Sequence, residues 1–148
     1  MCLIIDANTV HKVFPSPTAA YEPIAKAVAN GTARIYYGGE LAREYMVIEW
    51  FRRYLRALDQ KGSARFFPTS KVDAKELELQ QRNCCRSDDS HVLALALVSG
   101  ARLLCSEDNL LCDDFRDCQI IANPRGNIFR SAKHVHLLRR HCTNQAGA

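Results

Sequence analysis

No apolar run in this chain approaches the roughly 20 residues that a membrane span requires. The opening Met1-Cys2-Leu3-Ile4-Ile5 is too short for the apolar core of a secretory signal and meets Asp6 at once, so it is expected to be a strand. No Cys-x-x-Cys pair occurs, which removes the common zinc and dithiol-redox patterns. No Gly-rich phosphate loop is present either, which argues against nucleotide binding of the P-loop kind. Repeats, Pro/Ser-rich linkers and low-complexity stretches are also missing, and a single domain over residues 1–148 is expected, with 142–148 as a fraying tail. Excess charge is scarce too: the net charge is only +4, compatible with nucleic acid without requiring it.

What the chain does have is a core. Of its 148 residues 47% are apolar and 24% charged, the balance of a globular protein. The seven cysteines form an odd set, and Cys2 and Cys105 sit inside apolar runs. Free, partly buried thiols in a reducing cytoplasm are therefore expected. The cations are unevenly spread: Arg43, Arg52, Arg53 and Arg56 share one predicted helix, and Arg125, Arg130, Lys133, Arg139 and Arg140 crowd the last quarter.

Short apolar runs alternate with helical patterns. Strands are expected at 3–5, 33–37, 65–67, 101–105 and 119–122. Helices are expected at 18–30, 71–82, 88–99, 109–115 and 131–141, with Ser87 capping the third of these and Gly100 ending it. Leu41, Tyr45, Ile48, Phe51, Leu55 and Leu58 recur at steps of three and four, so the stretch from 41 to Gly62 reads as one long amphipathic helix. Such alternation predicts an α/β fold, a three-layer α/β/α sandwich around a parallel sheet of four to five strands.

In parallel sheets ligands bind beyond the carboxyl ends of the strands. Asp6 follows the first strand there, Glu40 follows Gly38-Gly39 after the second, and Asp108 lies just past the fourth. Asp89 opens a helix running back into that fourth strand, so its N-terminus belongs at the same edge. Four carboxylates from distant segments thus point at one crevice. Two of them about 5 Å apart would repel by roughly 3 kcal/mol at an effective dielectric near 20. A hard divalent cation, Mg²⁺ or Mn²⁺, removes that cost and can activate water at a phosphate. The competing reading makes each acid a helix cap or a dipole partner. Asp6 fits that reading worst, since aspartate is depleted around buried strands.

At this point the chain resembles the PIN-domain ribonucleases. The resemblance is carried by Ile4-Ile5-Asp6-Ala7-Asn8, by Glu40 before a helix, by Asp89-Ser90-His91-Val92-Leu93-Ala94-Leu95-Ala96, and by Leu103-Leu104-Cys105-Ser106-Glu107-Asp108. It extends from Cys2 to about Phe115. It implies a Mg²⁺- or Mn²⁺-dependent endoribonuclease whose acidic quartet is Asp6, Glu40, Asp89 and Asp108, supported by the Ser106 hydroxyl. Asp88 adjoins Asp89, and Val92 three residues on favours Asp89; Asp113 or Asp114 is the candidate for a further acid. Many small members are toxins of the VapC type, so the implied partners are an RNA substrate, a cognate antitoxin protein and a second copy in a homodimer.

Other features read as structural. Asn8 and Thr9 are candidates for the metal shell, although capping the next helix is the more ordinary role. Arg43 and Arg86 are substrate-binding candidates through backbone phosphates. His134, His136, His141 and Cys142 suggest zinc by composition, but their spacing matches no standard site. His91 is expected at the surface or partly buried. Two other functions compete with cleavage: a PIN-like module that binds RNA or protein without cutting, and aspartyl phosphoryl transfer. The second needs a lysine after a strand, and none is convincingly placed.

Overall fold

The computed structural model describes residues 1–139. The sheet begins with β1 (Cys2–Ile5), whose residues are all buried, as a strand covered on both faces requires. A 3-10 turn (Ala7–Thr9) leads to α1 (Val10–Val13) and then α2 (Glu22–Ala29). Next come β2 (Arg34–Gly38), α3 (Gly39–Met46), α4 (Glu49–Lys61) and β3 (Ala64–Phe67). The second half holds α5 (Thr69–Arg82), α6 (Ser90–Ser99), β4 (Leu103–Cys105), α7 (Asn109–Arg116), β5 (Asn127–Ile128) and a 3-10 segment over Ala132–Arg139.

The five strands run in the order β3-β2-β1-β4-β5, all parallel. Helices flank this sheet in three layers, so the predicted α/β/α sandwich is the observed architecture. Chain progress goes from β1 outward through β2 to β3, then returns to β4 on the other side of β1. The order therefore reverses between β1 and β4, and a crevice opens at their carboxyl ends. Register places Ile5 against Cys105 there, and the Asp6 N–H donates to the Cys105 carbonyl at 3.0 Å.

Two glycines make the entry into α3 possible. A Cβ on Gly38 would stand 2.7 Å from the Phe67 carbonyl oxygen, and Gly39 has φ +58° with Val72 Cγ1 only 2.6 Å from its Cβ position. Any side chain would push α3 away from β3 and α5. Inside α3, Tyr45 is buried and its hydroxyl donates to the Ile5 carbonyl. That bond fastens the helix to the last residue before Asp6. Helix α6 is apolar nearly all round because it packs on α5 and α3 while also meeting β2 and β3.

Three expectations are corrected. The long helix is broken: Val47 is 83% exposed and Ile48 takes φ −91°, ψ 94°, so α3 and α4 are separate. The break lets Tyr45 meet Phe51 edge to face at 4.9 Å, a contact a straight helix would not give to residues six apart. The last strand is β5 at 127–128, not 119–122; Ile120 and Ile121 are buried, but their N–H groups bond the Asp117 carbonyl in a turn. Hydrophobicity alone did not separate these two uses. Finally, Cys2 is disulfide-bonded, whereas Cys84, Cys85, Cys105, Cys112 and Cys118 are free, so the thiols give no clean argument for a reducing compartment. His141, Cys142 and the rest of 140–148 lie outside the described residues. No helix among the described residues is long and apolar enough to cross a membrane.

Candidate active site

Asp6 occupies the crevice. It is 4% exposed, and its carboxylate accepts from the Ser106 hydroxyl at 3.0 Å and from the Asn8 backbone N–H. Burial pushes its pKa up and the neighbouring Asp108 pushes it further, against the opposing pull of those hydrogen bonds and of His91. Ser106 is itself fully buried and works in two directions. Its oxygen also accepts the Asp108 N–H at 3.1 Å, so one hydroxyl ties the end of β1 to the β4–α7 loop.

Asp108 caps α7, one of its oxygens accepting the Leu111 N–H at 3.2 Å. The capping reading of this residue is thus correct, yet a carboxylate has a second oxygen to offer. Asp89 precedes α6 without a side-chain cap bond. Burial raises its pKa first, then Asp6, Asp108 and Asp88 add to it, with His91 opposing. Asp88 is exposed and lines a separate cleft with Leu79, Gln80 and Asn83, so Asp89 is the residue that joins the crevice.

Glu40 is not at the centre of this group. It is exposed, and Arg43 holds it at 2.8 Å while reaching Asp73 at 2.9 Å with the other arm of the guanidinium. Glu44, one turn further along α3, takes the inward place. Its pKa is raised by burial and by Asp6 and Asp89, and lowered by His91. His91 is 6% exposed rather than at the surface, with Nε2 2.5 Å from Glu44 Oε1. Its Nδ1 faces Glu76 at 4.0 Å, and Glu76 accepts from the Ser90 hydroxyl at 3.0 Å. Helical side chains lean toward the N-terminus of their helix, so a residue one turn in covers the sheet edge that the terminus itself overshoots. The i, i+4 spacing of Glu40 and Glu44 contained that alternative.

The remaining candidates separate cleanly. The Asn8 side chain makes no cap bond and is exposed; its contribution to Asp6 comes from the backbone. Arg43 is engaged by two carboxylates. Arg86 is exposed in a cleft of mixed charge with Arg116, Arg125 and Asp117. Asp114 is buried and clamps the backbone N–H groups of Arg86 and Ser87 at 2.9–3.1 Å, while Asp113 pairs with Arg116 at 3.2 Å, so neither belongs to the crevice. His134 Nδ1 accepts the Arg130 N–H at 3.1 Å, and His136 is exposed.

Among the described residues no Lys or Arg pairs with Asp6, Asp89 or Asp108. Nor do three or more His, Cys, Asp or Glu side chains close into a ready-made metal cage. The crevice thus gathers Asp6, Glu44 and Asp89, which are buried or half-buried, beside the exposed Asp108, with one histidine offsetting their charge.

No family model, curated protein or solved structure matches the chain.

Proposed function

We propose that the chain is a metal-dependent endoribonuclease of the PIN type, cutting single-stranded RNA with Asp6, Glu44, Asp89 and Asp108. The observation that carries this reading is the convergence itself. Asp6, Glu44 and Asp89, from three separate elements, all have pKa values raised by burial and by one another or by Asp108. A fold that only needed helix caps would have no reason to bury them together without a lysine or arginine.

The donor set fits a hard cation. Mg²⁺ keeps several of its waters and is usually held by one or two carboxylates plus substrate phosphates, so a complete protein cage is not required. Asp6, Asp89 and Asp108 would hold it, with Glu44 at the rim. When bound, such an ion supplies positive charge to the phosphoryl oxygens and lowers the pKa of an attacking water. The protein's own part is placement. Ser106 and the Asn8 N–H fix the Asp6 carboxylate, and the Leu111 N–H fixes one oxygen of Asp108. Tyr45 holds the end of β1 against α3, which keeps Glu44 and Asp6 in one frame. His91, set between Glu44 and Glu76, orients the glutamate that its ring contacts.

The test is metal-titrated cleavage of a mixed single-stranded RNA pool, with single-stranded DNA alongside. Wild type should cut RNA with Mn²⁺ or Mg²⁺ and stop with EDTA. Asp108→Asn should lose about 10²-fold or more, the usual scale for removing one electrostatic group at a reacting centre. Equal cleavage by both proteins places the chemistry elsewhere.

A further inference from the structure

Beside the acidic crevice lies a cleft of ≈ 510 Å³ bordered by Lys12, Thr18, Tyr21, Glu107, Asn109 and Arg130. It shares the β4–α7 loop with the proposed active site, since Glu107 and Asn109 are the two neighbours of Asp108. Its far wall is joined to the centre through one chain of contacts. Arg130 Nε donates to the Ser106 carbonyl at 3.0 Å, and the Ser106 hydroxyl donates to Asp6. The volume falls within the range of small-ligand sites.

Three features of its lining point to a polar, anionic ligand. Arg130 bonds only uncharged groups: the Ser106 carbonyl, Asn109 Oδ1 at 2.8 Å and Cys112 Sγ at 3.5 Å, with no carboxylate partner among the described residues. A guanidinium whose partners are all neutral has no carboxylate to displace before it meets a planar or tetrahedral anion. Lys12 meets Glu107 at 2.6 Å, but both side chains are well exposed, and such a bridge is weak enough for the ammonium to change partner. Tyr21 is 2% exposed, its ring lies against Phe129 at 6.3 Å, and its hydroxyl is buried without a hydrogen-bond partner among the described residues. Buried tyrosine hydroxyls ordinarily find one. Because Arg130 occupies Asn109 Oδ1, the amide nitrogen of Asn109 also remains as a donor.

We infer that this cleft is a nucleotide subsite, taking the phosphate of the residue next to the scissile bond on Arg130 and Lys12 and its sugar or base against Tyr21, Thr18 and Asn109. The inference rests on the ribonuclease reading, because the crevice would otherwise have no strand to continue. Lysine and arginine supply charge for the phosphate, while the tyrosine and amide supply polar contacts that inorganic phosphate would not use.

The experiment is a ¹H–¹⁵N NMR titration of the whole chain in EDTA, so that binding is read without cleavage. The probes are 5′-nucleoside monophosphates, ribose 5-phosphate and inorganic phosphate. Nucleoside monophosphates should shift the amides of Thr18, Tyr21 and Asn109 saturably and bind more tightly than either smaller anion. Lys12→Gln and Arg130→Gln should each weaken that binding about tenfold, and Tyr21→Phe about fivefold, the scales for charged and neutral hydrogen bonds. Among the described residues the Lys12 ammonium bonds only Glu107, so its variant keeps the test readable if loss of Arg130 disturbs the Ser106 loop. Absent shifts, or unchanged affinity in Lys12→Gln, overturn the subsite while leaving cleavage activity as a separate question. Equal affinity for inorganic phosphate overturns the nucleotide assignment. Saturable nucleotide binding in a chain that cuts nothing would instead count against the ribonuclease reading alone.

Discussion

Replacing Asp6 by Asn removes the charge on which the acidic crevice turns. In the metal-free protein Asp6 is repelled by Asp108 and itself raises the pKa of Asp89. Each such repulsion is about 3 kcal/mol if the charges are near 6 Å apart at an effective dielectric of 20. Against that gain stand two charge-assisted hydrogen bonds, from Ser106 and from the Asn8 N–H, which a neutral amide keeps only in weaker form. The net expectation is a metal-free variant more stable than wild type by about 1–2 kcal/mol, or roughly 3–6 °C in a chain of this size. The pH dependence has a definite sign. A carboxyl whose pKa is raised on folding contributes stability at pH below its unfolded pKa, and that contribution is lost as pH rises through the folded value. The variant's advantage should therefore be largest near about pH 7 and shrink toward about pH 4, the unfolded aspartate value. Mn²⁺ should reverse the order, since a ligand at 100 times its Kd adds about 2.7 kcal/mol to wild type and little to the variant. Thermal melts in EDTA and in Mn²⁺ across that pH range are sufficient. A metal-free variant that melts lower by more than about 2 kcal/mol, with its Mn²⁺ shift intact, would make Asp6 a structural residue and refute the reasoning.

Glu44→Gln should lower metal-dependent RNA cleavage by about 10–100-fold, the scale for groups that support a metal site, while Glu40→Gln leaves kcat/KM within about twofold. Rate measurements on the pair decide between the two positions directly. Ser106→Ala keeps all the acids but frees the Asp6 carboxylate and the Asp108 N–H; a fall of about tenfold in activity, with metal affinity weakened in parallel calorimetry, is expected. Asp114→Ala strips the acceptor from the half-buried N–H of Arg86 and the buried N–H of Ser87 just before Asp89, and should cost about 3 kcal/mol in urea unfolding. A loss below about 1 kcal/mol would show that the Arg86–Asp89 segment is held by something else.

Much of this molecule was already written in local pattern. The buried run before Asp6, the stop at Gly100 and the apolar stretch of α6 each follow from a rule that operates within a few residues. Together they led to a parallel sandwich with Asp6, Asp89 and Asp108 expected at one edge, and in the structure the charge of Asp108 raises the pKa of both Asp6 and Asp89. What the pattern could not show was which way a helix faces once it is packed. Glu40 and Glu44 occupy the same helical stripe, and only the seat of α3, pinned by Tyr45 on Ile5 and by the close approach of Gly38 and Gly39, turns the second toward the crevice. The same holds for Arg43, drawn aside by Asp73 thirty residues away, and for Asp114, whose partners come from a distant loop. Local sequence carries periodicity and the ends of elements, because those are set by backbone geometry. Which charges meet is decided by tertiary packing, because Coulomb energy depends on separation in space and not on separation along the chain.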